Sequence, residues 1–228
     1  MPSKYFNRNF KPNHFYHIFN RGAYKNNIFL DDQDYNTFTS ILTYYLSFPS
    51  ANKYSYQKLI NPPKLPVRNR LNDPVQVTTY CLMPNHFHLL LKETTQATKQ
   101  TGISNLMRRV MIAYSMYFQD KHQHSGALLQ GRYKNVEIET HEQLLYISKY
   151  IHRNPTKIIN RFQALKSYSH SSYPAFIGHD QNTKWLHPEE ILKLDYYKNS
   201  KNPQKDYQKF VQESDHLPKP ILSLTLDF

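Results

Sequence analysis

Two β-rich runs joined by a single turn pair constrain this chain more than any other feature. Val75-Gln-Val-Thr-Thr-Tyr-Cys-Leu-Met83 is dense in β-branched and aromatic residues, Pro84-Asn85 is a turn dipeptide, and His86-Phe-His-Leu-Leu-Leu-Lys92 resumes strand character. The segment predicts an antiparallel hairpin, and its neighbours supply partners. His14-Phe-Tyr-His-Ile-Phe19, ending at the turn-like Asn20-Arg-Gly22, reads as a first strand. Asp31-Asp-Gln-Asp-Tyr35 puts acids at the positive end of a helix dipole. Tyr35, Phe38, Ile41, Leu42 and Tyr45 continue at helical spacing towards a stop near Phe48-Pro49.

After the hairpin, Leu106, Val110, Ala113, Tyr114 and Tyr117 form an apolar stripe that predicts a long helix over about residues 103–119. Tyr133-Lys-Asn-Val-Glu-Ile-Glu139 predicts another strand. Thr140-His-Glu-Gln143 has the capping-box pattern of a helix start, and Pro155 ends that helix after Asn154. The order strand, helix, strand, strand, helix, strand predicts an α+β fold of the ferredoxin-like, split βαβ type, an antiparallel sheet with helices on one face. The helix over residues 142–154 is expected beside that core. Residues 1–178 are read as one domain, with the Asn-, Lys- and Pro-rich stretch 47–73 as an exposed insertion. Residues 179–228 are read as a C-terminal helical appendage, with short helices after Pro188 and near 205–213.

Lys and Arg number 29 against 17 Asp and Glu, a net charge of +12 that points to a polyanionic partner. Nineteen Tyr and 13 Phe add the aromatic surface that stacks bases, although core filling accounts for most of them. One cysteine, Cys81, excludes an internal disulfide and multi-cysteine zinc or iron-sulfur sites. With five glycines, the nearest approach to a phosphate loop is Gly126-Ala-Leu-Leu-Gln-Gly131, which lacks the Lys-Ser/Thr ending. His141-Glu142 is not followed by the second His of a zinc-protease helix, since Leu145 stands there. A mean hydropathy of −0.73, no apolar run of spanning length and no apolar signal core predict a cytoplasmic, nucleoid-associated protein without a membrane partner.

His86 and His88 stand two apart on a predicted strand, so both imidazoles share one face while Phe87, Leu89 and Leu91 point the other way. Alone, such a pair is two ordinary polar positions on a half-buried sheet. The helix ending at Asn154 supplies context, because Tyr150 and Asn154 are one turn apart on one face. Two imidazoles and an amide oxygen leave a divalent cation at full charge with open positions, which suits polarising a phosphodiester oxygen. Lys149 and Arg153 flank Tyr150 in sequence as candidate cations to assist loss of its phenolic proton. Tyr146, four residues earlier on the same face, is the other phenol this helix could present.

Tyr16-His-Ile-Phe-Asn-Arg-Gly22, Cys81-Leu-Met-Pro-Asn-His-Phe-His-Leu-Leu90, Gln130-Gly-Arg-Tyr133 and Tyr150-Ile-His-Arg-Asn-Pro155 resemble the REP-associated tyrosine transposases. These belong to the His-hydrophobic-His (HUH) single-strand transposases with one catalytic tyrosine. The resemblance runs in order over about residues 15–178, and it implies the fold inferred above. It implies His86, His88 and Asn154 as metal-binding positions, Asn154 standing where mobile relatives have Gln. It implies Tyr150 as the nucleophile that forms a covalent 5′-phosphotyrosine and frees a 3′-hydroxyl, with Mg²⁺ or Mn²⁺ as cofactor. The partner implied is single-stranded or hairpin DNA, met by a monomer or a homodimer. His170 and Phe176 depart from the family's common Trp and Tyr.

Residues 143–179 contain no acid, and residues 94–136 contain only Asp120, so basic side chains dominate both stretches. Arg21, Arg108, Arg109, Arg132, Lys149 and Arg153 are the candidate DNA contacts. Two rival functions stand beside strand transfer. One is a DNA-binding protein that has lost cleavage, and the other is a metal-dependent phosphodiesterase in which water attacks.

Overall fold

The computed structural model describes residues 9–49, 73–99, 101–159, 162–179 and 185–213, and the expected insertion therefore lies mostly outside the described residues. Four strands form one sheet: β1 (Phe15–Arg21), β2 (Val75–Met83), β3 (His86–Glu93) and β4 (Lys134–Ile138), in the order β2-β3-β1-β4. Every neighbouring pair is antiparallel. With α1 (Asp32–Ser47) between β1 and β2, and α2 (Ile103–His122) between β3 and β4, this is the ferredoxin-like arrangement the element order predicts.

Strand alternation sorts the core into two layers. Tyr16 and Ile18 of β1 and Phe87, Leu89 and Leu91 of β3 pack with Phe38, Ile41 and Leu42 of α1 and Leu106, Val110 and Tyr114 of α2. Buried Asp34 ties these two helices together, since its carboxylate accepts from Tyr117 at 2.8 Å and Lys121 at 2.9 Å. Burial opposes its ionisation, but hydrogen bonds from the Leu30 N–H, Lys121, His122 and Tyr117 outweigh that cost and hold the carboxyl below its ordinary value.

The opposite face is covered as well. Helix α3 (His141–Arg153) starts at the expected capping box, with Thr140 Oγ1 accepting from the Gln143 N–H and the Gln143 side chain accepting from Thr140. Its Leu144, Ile147 and Ile151 meet Cys81, Leu90 and Ile138 on the face turned away from α1 and α2. The C-terminal elements close over this layer: α4 (Tyr173–Phe176), α5 (Glu189–Leu192) and α6 (Pro203–Gln212) bury Tyr173, Phe176, Ile191, Tyr207 and Val211 against it. The helices between strands thus keep to one face as predicted, while α3 to α6 build a third layer on the other. Fully buried His152 on α3 bonds Tyr207 of α6 at 2.8 Å and Ser172 at 2.7 Å, which locks that layer together.

Candidate active site

The hairpin turn and the end of α3 meet on the third-layer side of the sheet. The β3 alternation sends His86 and His88 towards α3, with ring centres 5.0 Å apart and nearly perpendicular. Asn85 presents its amide oxygen 2.6 Å from His86 Nδ1, and its amide nitrogen donates to the Lys25 carbonyl at 3.2 Å. That second bond fixes which end of the amide faces His86. An amide oxygen only accepts, so His86 Nδ1 carries a proton, and in the neutral ring Nε2 keeps its lone pair.

Asn154 is oriented in the same manner. Its amide nitrogen donates to the Tyr150 carbonyl at 3.0 Å, leaving Oδ1 3.5 Å from His86 Nε2. With a neutral His86 these two atoms are both acceptors, an arrangement that suits a shared cation. His88 is 1% exposed, and its Nδ1 lies 2.9 Å from Nε2 of His17, itself fully buried. Burial, followed by His17, His86 and Lys157, pushes His88 well below the ordinary histidine range, so its ring is neutral and fit to ligate. Among the described residues no group of three or more His, Cys, Asp or Glu is placed to hold a metal, and Asn154 is the further donor beside His86.

Tyr150 is 8% exposed and forms one wall of a cavity of about 450 Å³, which Arg21, Asn27, Asn85, His86 and Lys157 also line. Its ring centre lies 5.5 Å from that of His88. Pro155 cannot donate to a helical carbonyl, so the chain tightens after Arg153 into a 3₁₀ turn, Asn154–Lys157. That turn carries Lys157 Nζ to 5.9 Å from the centre of the Tyr150 ring.

The structure therefore gathers His86, His88, Tyr150, Asn154 and Arg21 at one place. It corrects the cations expected to attend the phenol. Each helical residue turns about 100°, so Lys149 and Arg153, neighbours of Tyr150 and Asn154 in sequence, face α6 instead. Lys149 is buried with its ammonium 4.5 Å from the Phe210 ring centre, and Arg153 donates to the Val211 carbonyl at 3.1 Å. Burial, then Arg153, lowers the Lys149 ammonium below its ordinary value. Tyr146 packs edge-on against Phe210 and lines a separate cavity with His141 and Leu194, away from the histidines. Arg109 is likewise turned inward, donating to the Pro49 carbonyl with its guanidinium 5.7 Å from the Tyr45 ring centre.

Arg108 and Arg132 line a second, larger cavity of about 730 Å³ with Lys99, Asn105 and Tyr133. The two cavities adjoin through the backbone. Gln130 N–H donates to the Arg21 carbonyl at 2.9 Å, and Asn20 Nδ2 donates to the Gly131 carbonyl at 3.0 Å. His170 stacks on Tyr35 at 3.7 Å between ring centres, and Phe176 is fully buried, so both departures from the resemblance are packing positions.

Sequence reasoning passed over His17 and Asn85, and it counted Lys157 among the basic residues that could meet phosphate without setting it beside Tyr150. The 3₁₀ turn through Pro155, which brings Lys157 back to Tyr150, is not encoded by helical spacing. His17 shares its face with Phe19, but only the strand register brings it diagonally beside His88, since Phe19 pairs with His88 and His17 with Leu90.

Residues 68–154 match the family model described as transposase, IS200 like. This segment is similar to the IS200-like transposases. The match spans β2, β3 and the helix bearing Tyr150, and it bears out the resemblance to a transposase family. DNA transposition is the function class it supports. No curated protein matches the chain. Among solved structures, a REP-associated tyrosine transposase bound to a REP hairpin is 11% identical with a TM-score of 0.48, covering 76% of this chain and 84% of that one. A candidate transposase from Deinococcus radiodurans is 16% identical with a TM-score of 0.38, covering 64% of this chain and 95% of that one. Among the described residues no helix is long and apolar enough to cross a membrane.

Proposed function

We propose that this protein cuts and rejoins single-stranded, hairpin-bearing DNA by way of a covalent 5′-phosphotyrosine on Tyr150. The observation that carries the reading is the meeting, within one chain, of Tyr150 and His86 on a cavity with Arg21 and Lys157 in its wall, with buried His88 and Asn154 packed directly behind them. A divalent cation, Mg²⁺ or Mn²⁺, held by His86, His88 and Asn154 would supply positive charge to the scissile phosphate. In that role His88 Nδ1–H donates to His17 Nε2, which leaves His88 Nε2 for the ion.

The chemistry of the chain's own residues follows. The Tyr150 oxygen gives up its proton and forms a bond to phosphorus, while the bond from phosphorus to the 3′-oxygen breaks. The departing oxygen takes up a proton and leaves as a 3′-hydroxyl. Lys157 favours the phenolate by Coulomb attraction across the cavity, and Arg21 draws phosphate to its wall. The reverse attack by a 3′-hydroxyl restores the phenol, so rejoining needs no nucleotide cofactor. Arg108, Arg132 and Lys99 extend the basic surface along the DNA.

Incubation with labelled hairpin oligonucleotides and Mn²⁺ or Mg²⁺, resolved on denaturing gels, tests this. The expected product is a metal-dependent protein–DNA adduct that disappears in Tyr150→Phe. Cleavage without an adduct would instead make the protein a phosphodiesterase using water, and DNA retention without cleavage would make it a binding protein.

A further inference from the structure

Tyr24 stands on the loop that joins β1 to the catalytic cavity, and it is 93% exposed, the most open large hydrophobic side chain among the described residues. Its backbone is left-handed, with φ 53° and ψ 24°, and Lys25 follows at φ 66°. Two consecutive residues with side chains seldom adopt this region, which favours glycine. A large ring held in solvent on a disfavoured backbone gains nothing within the free protein.

The loop is nevertheless firmly held. Gly22 N–H donates to the Asn85 carbonyl at 2.9 Å, Ala23 N–H to the Leu128 carbonyl at 2.9 Å, and Ile28 N–H to the Pro84 carbonyl at 2.7 Å. Asn85 Nδ2 adds its bond to the Lys25 carbonyl, so the amide that orients His86 also clamps the residue after Tyr24. A Cβ at Gly22 would lie 2.0 Å from the Asn26 carbonyl oxygen, so only glycine admits this turn. Residues on both sides of Tyr24, Arg21 and Asn27, line the catalytic cavity. The strain is thus imposed by contacts to the hairpin that carries the histidines, as at ligand clamps.

We propose that Tyr24 is a stacking platform for an unpaired base of the strand that enters the catalytic cavity. The inference rests on the single-stranded DNA reading above and adds a binding residue to it. A tyrosine ring offers a rigid face to any base, and the adjoining Arg21 and Lys25 supply cations for the phosphates on either side. Ile112 and Met116, also exposed, lie on α2 and share none of these ties to the catalytic hairpin.

The test uses the full chain carrying Tyr150→Phe, so that no cleavage intervenes, and a DNA hairpin with a single-stranded thymidine tail. Tyr24→Ala should weaken binding about tenfold, whereas Tyr24→Trp should retain affinity. An abasic site stepped through the tail should cost a similar factor at one position with Tyr24 present and nothing there in Tyr24→Ala. Tyr24→Gly should bind as poorly as Tyr24→Ala while melting at a higher temperature, because glycine relieves the left-handed backbone. Equal affinity of the Tyr24 and Tyr24→Ala proteins, or equal abasic penalties in both, overturns the inference alone. Failure of both proteins to hold the probe overturns the DNA reading and this inference with it.

Discussion

On one side of α3, Tyr150, with Lys157 on the turn beyond, lines a cavity together with His86, and Asn154 and His88 are buried beside them. On the other side, Tyr146, Lys149 and Arg153 lie against α6, where Lys149 covers an aromatic ring and Arg153 satisfies backbone carbonyls. Both stripes carry a tyrosine and cations, so residue type does not separate chemistry from packing. Angular position does. A step of one residue along a helix is about 100°, enough to move a cation from a cavity wall into the core between two helices.

The sharpest way to break this contrast is to exchange the two phenols for phenyl rings. Tyr150→Phe should lower strand cleavage at least about a thousandfold with DNA affinity nearly unchanged, because it removes the nucleophile and little surface. Tyr146→Phe should cleave normally. Comparable losses in both would mean that the two stripes are not functionally distinct.

His17 extends the contrast to the sheet, where it is a buried neighbour of His88 rather than a ligand in its own right. His17→Phe keeps an aromatic ring in the space but removes the hydrogen-bond partner of His88 Nδ1. Mn²⁺ affinity, read by titration calorimetry, should fall about ten- to a hundredfold. Unchanged affinity would show that His88 needs no such support.

A pair of lysine substitutions separates the cations. Lys157→Met should slow cleavage about tenfold with little change in melting temperature. Lys149→Met keeps the apolar stem over Phe210 and should leave the cleavage rate intact, since that ammonium already sits in a site that disfavours its charge. A slower Lys149→Met enzyme would contradict the geometry.

The smallest effect concerns the arginines. Arg132→Ala should reduce the slope of log affinity against log salt by about one contact's worth, with stability unchanged. Arg109→Ala should leave that slope alone and lower the melting temperature, because its guanidinium holds the carbonyl of Pro49.

Much of the fold was legible because the chain marks its own boundaries. Pro84-Asn85 and the Thr140–Gln143 capping box place β2, β3 and the start of α3 within a residue or so. Period-two alternation likewise predicts that His86 and His88 share a face. Helical periodicity identifies the apolar stripe of α3 but not which face of the sheet will receive it, so the third layer emerged only from packing. The His17–His88 pair depends on strand register, which neither strand encodes by itself. Adjacency in sequence misled for Lys149 and Arg153, and the flanking position of Arg109 beside an apolar stripe did not reveal that α1 would cover it.

The most direct test of the central claim is to trap the adduct from a 3′-end-labelled single-stranded hairpin substrate, digest the protein and locate the modified residue by mass spectrometry. The 5′ phosphate of the labelled fragment should be on the peptide containing Tyr150, at its phenolic oxygen. Label on Tyr146 or any other residue, or efficient cleavage with no labelled peptide at all, would contradict the account.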